Sequence, residues 1–397
     1  MSKHVVVAGV GMIPFKKPGQ SDSYSVMGAT ATRLALEDAG LPYDRIQQAY
    51  VGYVYGDSTC GQTALYKVGV TGIPIVNVNN NCSTGSSALF LARQAVESGA
   101  VECALALGFE FMQPGALTSV WTDRERAMAR FTEISAPMVQ DALDAGVPSA
   151  LTLFGGAGRE HMQRYGTKLE TFAKIRAKAS RHAANNPLAV FRTVVTEEDV
   201  MNEKVMWPGV MTRSMACPPT SGAAAAIVCT EAFAKKHNIR TDVRILAQSL
   251  TTDVAPSFDP PSMVGLVGFH MAERGAKAVY EAAGVSPSDI QVCELHDCFA
   301  HNELLTYESL GFAKIGEAEK MVLDGDNTYG GKVVINPSGG LLSKGHPLGA
   351  TGLAQCYELT RQIRGTAETT QVERVQLALQ HNLGLGGACV VTLYGRA

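Results

Sequence analysis

An internal repeat constrains the fold of this 397-residue chain more than any other feature of its sequence. Leu36-Glu37-Asp38-Ala39-Gly40, followed by Ile46-Gln47, lines up with Tyr280-Glu281-Ala282-Ala283-Gly284, followed by Ile290-Gln291; positions 36 and 280, like 46 and 290, are 244 apart. Each copy reads as an amphipathic helix closed by a glycine and followed by a short apolar strand, residues 49–53 in the first and 292–295 in the second. Each half also opens on a strand, residues 5–8 and 243–247. Each closes on two more, 102–107 then 223–229, and 375–379 then 388–393. Strands alternating with helices predict an α/β protein of two similar halves, residues 1–240 and 241–397. Between about residues 112 and 219 the pattern loosens into polar helices and Gly/Pro-containing loops, which predicts an insertion over the active site rather than an independent domain.

With 46% hydrophobic residues the chain can bury one large core or two coupled ones. Lys+Arg 34 against Asp+Glu 37 leaves no broad field to draw it onto nucleic acid or an anionic membrane, so small molecules and copies of itself are the expected partners. Nine scattered cysteines, the absence of a basic-then-apolar leader ahead of Val5-Val6-Val7-Ala8-Gly9 and the absence of a long apolar run predict a cytoplasmic protein with no membrane span.

The chemistry is concentrated at one cysteine. Cys82, in Asn79-Asn80-Asn81-Cys82-Ser83-Thr84-Gly85, falls between an apolar strand-like run and the start of a helix. Unpaired N–H groups at a helix start favour thiolate, which predicts a Cys82 pKa drawn down toward neutrality and a nucleophilic role. Further along lie His296-Asp297-Cys298-Phe299, the turn Gly345-His346-Pro347, and His381-Asn382-Leu383-Gly384-Leu385-Gly386-Gly387. Acyl transfer through a thioester needs a thiolate, a base, donors for the carbonyl oxygen and a second acid. His346 can activate Cys82, Cys298 can shuttle a proton, His296 can donate to an oxyanion, and Gly384 lets backbone N–H approach the substrate. Taken singly, His346 and His381 can equally be core histidines satisfied by backbone carbonyls, and Cys298 a small apolar filler.

Together these four segments resemble the thiolases, most closely the thiolase domain of sterol carrier protein X, and the similarity spans essentially the whole chain. The resemblance implies a five-layered αβαβα fold of two βαβαβαββ halves, which fits the repeat. It implies that Cys82 is the acylated nucleophile and His346 its activator. Most thiolases carry Asn-Glu-Ala-Phe where this chain has His296-Asp297-Cys298-Phe299, and Cys-x-Gly where it has Asn382-Leu383-Gly384, so Cys298 inherits the proton-transfer role and His296 the oxyanion contact. Asn382 is read at the position of the missing cysteine, although a one-residue slip would place His381 there. The implied activity is that of a 3-oxoacyl-CoA thiolase, a homodimer acting on acyl-CoA and CoA as substrates without a metal or redox cofactor. The alternatives are an acyl-CoA binder, a partner of a lipid-transfer protein, or a retro-aldol lyase.

Other motifs in the chain are weaker. Cys293, His296, Cys298 and His301 have zinc-ligand chemistry, but Cys293 and His296 fall on opposite faces of a strand. Gly9-Val10-Gly11 is broken as a dinucleotide fingerprint by Pro14, and Lys344 lacks the Ser or Thr of a phosphate loop. A basic helix face with Lys174, Lys178, Arg181 and His182 is a candidate for the phosphates of CoA, or simply a solvated face.

Overall fold

Runs of β-branched and small apolar residues form the strands of one sheet in the computed structural model, which describes residues 4–113 and 121–397. Residues 114–120 of the expected insertion lie outside the described residues. In chain order the framework is β1 (Val5–Met12), α1 (Tyr24–Ala39), β2 (Gln48–Gly52), β3 (Ile75–Val78), α2 (Thr84–Glu97) and β4 (Cys103–Glu110). After these come α3 (Ser149–Tyr165), α4 (Leu169–Ala183), β5 (Gly222–Thr230), β6 (Val243–Thr251), α5 (Phe269–Ala283) and β7 (Val292–Glu294). The chain ends with α6 (Ala300–Ser309), β8 (Val334–Ile335), α7 (Thr351–Arg364), β9 (Leu377–Gly384) and β10 (Ala388–Arg396).

The repeat is visible in the strand order. One half-sheet runs β3-β2-β4-β5-β1 and the other β8-β7-β9-β10-β6, and a single antiparallel pair, Val6 with Arg244, joins β1 to β6. The repeated helices α1 and α5 both end on a left-handed glycine, Gly40 (φ 62°) and Gly284 (φ 67°), whose N–H caps the final turn. Period-2 alternation sends the strand side chains into separate cores. On β1, Val5, Val7 and Val10 face the centre, where α2 and α7 lie between the half-sheets, while Val6 and Ala8 face outward against α1. On the other half-sheet Ala378 faces the centre, whereas Leu379, Val391 and Leu393 face outward against α5 and α6. Helix, sheet, helix, sheet and helix therefore stack as five layers.

The central helices start on matching sequences, Thr84-Gly85 and Thr351-Gly352, and approach through those glycines. A Cβ on Gly85 would lie 2.6 Å from the Gly349 carbonyl oxygen, and one on Gly352 would lie 2.3 Å from the Ser86 nitrogen. Gly352→Ala is expected to lower stability by about 3 kcal/mol, because only separation of α2 from α7 makes room for the methyl. Urea unfolding measures this, and an unchanged midpoint would show that the crossing tolerates the extra volume.

The insertion differs from its expected character. Its helices α3 and α4 are not solvated but bury Phe154 and Phe172 in one core with Cys293, Leu304 and Leu341 of the second half. Eleven of the fifteen residues of α4 are buried, among them Arg176, Lys178 and His182. Its polarity is real, but each of these groups has a partner: Arg176 donates to Ser343 Oγ (2.8 Å), Lys178 pairs with Glu303, and His182 bonds the Asn336 carbonyl (3.0 Å). The expectation of a solvated basic face is thus corrected for Lys178 and His182. Lys178 is 2% exposed and its charge is taken up by Glu303, whereas Arg181 reaches solvent.

Candidate active site

Cys82 follows β3 and precedes α2 by two residues, with Ser83 at the helix cap and Asn81 in the left-handed region (φ 50°). Thr84 fixes this turn by accepting from the Asn80 N–H (2.8 Å) and donating to the Asn81 carbonyl (2.6 Å). Asn81 Nδ2 ties the turn to the Leu385 carbonyl (3.0 Å). Gly384 presses on the same turn, where a Cβ would come within 2.2 Å of the Asn80 carbonyl oxygen. Its lack of a side chain thus seats β9 against the nucleophile loop.

The expected drop in the Cys82 pKa is not found. Burial, reinforced by the nearby Glu110 carboxylate, pushes the thiol up to about 12. The helix start supplies a favourable but local field, and loss of hydration outweighs it. Glu110, whose own carboxyl is raised to about 7 by burial, accepts from the backbone N–H groups of Val54 (3.1 Å), Tyr55 (2.9 Å) and Gly349 (3.0 Å). It clamps the end of β4 to the turn carrying His346, a role that the sequence reading missed.

His346 lies within the same small volume. Its N–H donates to Thr220 Oγ1 (2.7 Å), and its ring Nδ1 faces Thr351 Oγ1 at 2.7 Å. The Thr351 hydroxyl donates its own hydrogen to the Pro347 carbonyl (3.0 Å), so it must accept from Nδ1–H. Nε2 is therefore the unprotonated nitrogen, and among the described residues it is buried without a hydrogen-bond partner. Burial lowers the ring's pKa to about 3, which keeps it a neutral base at physiological pH.

His296 meets His346 edge to face, with ring centroids 4.9 Å apart. Asn382 decides its tautomer. Ser86 Oγ donates to Asn382 Oδ1 (2.8 Å), so Nδ2 is the atom that reaches the Cys82 carbonyl (3.1 Å) and His296 Nδ1 (3.0 Å). His296 Nδ1 accepts this hydrogen bond, which leaves the ring proton on Nε2. Burial first, then the neighbouring rings of His346 and His381, hold the His296 pKa well below its ordinary value. His381 points to the other face of β9, where its Nδ1 accepts from the His296 N–H (3.4 Å) and burial lowers its pKa to about 3. Residues 381–384, expected in a glycine-rich loop, instead continue the strand.

Cys298 is buried just before α6, and its carbonyl accepts from the Cys217 N–H (2.8 Å). Burial, then charge repulsion from Cys217 and Cys82, raises its thiol pKa well above the usual range. The three thiols thus lie within one another's electrostatic influence. Cys217, at the end of the insertion, was not singled out from the sequence. Asp297, its carboxyl raised to about 8 by burial, accepts from the Leu341 N–H (2.7 Å) and so supports the segment leading to His346. The zinc-like set from the sequence does not converge: His301 Nε2 bonds the Val210 carbonyl (2.8 Å) and its ring stacks on Phe172. The donors that do meet are Cys82, His296 and His346, with one ligand atom of each within 4.8 Å of the others.

The arrangement couples a thiol, a neutral imidazole with a free lone pair, a ring N–H donor and a second thiol, drawn from both halves. Comparison with known proteins agrees with the fold. The model of the thiolase N-terminal domain matches residues 5–232, and that of the thiolase C-terminal domain matches residues 261–394. Sterol carrier protein 2 of Oryctolagus cuniculus is 52% identical over 394 residues, covering 98% of this chain and 71% of the relative. Among solved structures, an Ltp2-ChsH2(DUF35) aldolase superposes with a TM-score of 0.83 at 22% identity, covering 100% of this chain and 98% of the other. Human mitochondrial 3-ketoacyl-CoA thiolase superposes with a TM-score of 0.72 at 17% identity, covering 100% and 99%. Among the described residues no helix is long and apolar enough to cross a membrane. With both domain models matched in order along the two halves of the fold, this chain belongs to the thiolase family.

Proposed function

We propose that the protein is a 3-oxoacyl-CoA thiolase that cleaves its substrate with CoA through an acyl group on Cys82, in fatty-acid or sterol side-chain degradation. The observation that carries this reading is the meeting of Cys82 with an unprotonated, unpartnered Nε2 of His346 beside the ring of His296. Both resting groups are neutral, so the Cys82 proton passes to His346 as the sulfur attacks the C3 carbonyl, with no standing ion pair to bury. His296, its proton fixed on Nε2, donates to the developing oxyanion. The C2–C3 bond breaks and Cys298 protonates the departing acetyl-CoA enolate. The incoming CoA thiol then returns a proton to the Cys298 thiolate and takes the acyl group, and His346 reprotonates Cys82. A lipid acyl group, up to a sterol side chain, is in keeping with the 52% identical relative's name, sterol carrier protein 2. The internal symmetry supports a homodimer.

Incubation with acetyl-CoA followed by peptide mass analysis tests the central step, with one acetyl group expected on Cys82. Bound acyl-CoA with no adduct would sink the reading in favour of a binder or a retro-aldol lyase. Asn382→Ala is expected to lower kcat about 100-fold with little change in KM, because it frees the His296 ring and the Cys82 carbonyl without touching the substrate. A rise in KM alone would place Asn382 in substrate binding instead.

A further inference from the structure

Cys217 takes no part in the cycle described above, yet the fold sets it against Cys298. An antiparallel bridge pairs Ala216 with Phe299, and the next step along it puts Cys217 opposite Cys298, with the Cys217 N–H donating to the Cys298 carbonyl (2.8 Å). Directly opposed residues of an antiparallel pair share a face, and at a hydrogen-bonded position their Cα atoms stand about 5.5 Å apart, inside the roughly 4.4–6.8 Å that a disulfide spans. Both side chains pack into the same core, Cys298 at 4% exposure and Cys217 half-buried, and both are free thiols. At rest burial holds the two well above the usual thiol range, so neither is a ready nucleophile. The acyl-enzyme differs. By then Cys298 has given its proton to the enolate, and it stays a thiolate until CoA returns one.

We infer that Cys217 and Cys298 are a site of reversible oxidation by hydrogen peroxide, open to the oxidant while Cys82 carries an acyl group, and that the disulfide between them stalls the acyl-enzyme. The timing rests on the thiolase reading proposed above. The Cys298 thiolate attacks one peroxide oxygen. The S–O bond forms as the O–O bond breaks, and the departing hydroxide takes a proton from solvent to leave as water. The Cys217 sulfur then attacks the resulting sulfenic acid, forming the S–S bond and breaking S–O, and the hydroxyl leaves with the Cys217 proton as a second water. Both cysteines are oxidised and one peroxide is reduced to two waters. With Cys298 tied up, the incoming CoA thiol has no acceptor for its proton, and the acyl group stays on Cys82. Cys103 and Cys229 are also opposed, on β4 and β5, but both are 0% exposed and the cycle ionises neither. They serve as the internal control.

Full-length protein given a 3-oxoacyl-CoA without free CoA, treated with sub-millimolar hydrogen peroxide and alkylated, should yield a crosslinked peptide joining Cys217 to Cys298, with Cys82 acylated, on peptide mass maps. Crosslinking should run at least about 10-fold faster than in protein without substrate. Dithiothreitol should restore turnover. Cys217→Ser should turn over normally but lose that recovery, because Cys298 with no thiol to resolve it oxidises on to sulfinic acid. The maps of the unaltered protein decide the matter even if this variant does not fold. A crosslink between Cys103 and Cys229, or one to Cys82, in place of the expected bond would overturn the proposal, as would equal rates with and without substrate. An acyl group on Cys82 beside two reduced thiols would also overturn it, while leaving the thiolase reading standing. Absence of the acyl group removes that reading, and the proposal with it.

Discussion

Cys82→Ala is expected to lower turnover by roughly 10^4- to 10^6-fold, and His346→Ala by a similar factor, with the double variant no slower than the worse single one. The non-additivity follows from the geometry. His346 Nε2 has no partner among the described residues, so its role is tied to the sulfur beside it. Once the thiol is gone the ring has no proton to take, and once the ring is gone a thiol with a pKa near 12 has no route to thiolate at neutral pH. Single-turnover measurements of acyl transfer from a 3-oxoacyl-CoA in the three variants check this. Losses that multiply in the double variant would show that the residues act independently.

Acidification from pH 7 to 5 is expected to destabilise the fold. His182, His346 and His381 have pKa values lowered by burial to about 3, and His301 to about 4, against about 6.5 when unfolded. The folded values are the lower ones, so between them and 6.5 the unfolded chain binds more protons. The stability these rings contribute is complete above about pH 6.5 and is lost as pH falls, by about 2 kcal/mol per ring at pH 5. Glu110 and Asp297 oppose this: their folded values, about 7 and 8, exceed the unfolded ones, so their ionisation destabilises the fold as pH rises through that range. Protonating them between pH 7 and 5 offsets part of this loss, while His296, also held well below its ordinary value by burial, adds to it. Urea unfolding at pH 7, 6 and 5 tests the balance, and stability that held or rose on acidification would mean that the rings are not kept neutral by burial.

Much of the framework was legible because strand and helix periodicities are local. The matching segments 36–47 and 280–291, with their glycines at 40 and 284, announce the repeat without knowledge of any contact. The convergence of Cys82, His296 and His346 was legible only through motifs, since their meeting depends on loops brought together by the fold. What failed to show were properties fixed at long range. Helix α4 looks solvated because its basic face carries Lys178 and His182, and their partners Glu303 and Asn336 lie more than a hundred residues away. The sign of the Cys82 shift depends on how much water the finished fold removes, which the position of a helix start does not report. On β9, His381 and Asn382 are equally suited to the site by type, and only the strand's alternation chooses Asn382. Glu110 lies beyond the strand expected at 102–107, with nothing local to mark its three backbone partners.

The paired helix starts at Thr84-Gly85 and Thr351-Gly352 have a consequence for how such a protein can evolve. Cys82 and His346 stand on the bends that lead into these helices, one in each half of the fold, and neither half alone holds both. Side chains on the two bends can change independently, but their separation is set by the close crossing of the helices behind them. A lineage can therefore change which reaction the pair performs long before it can change how far apart the partners stand.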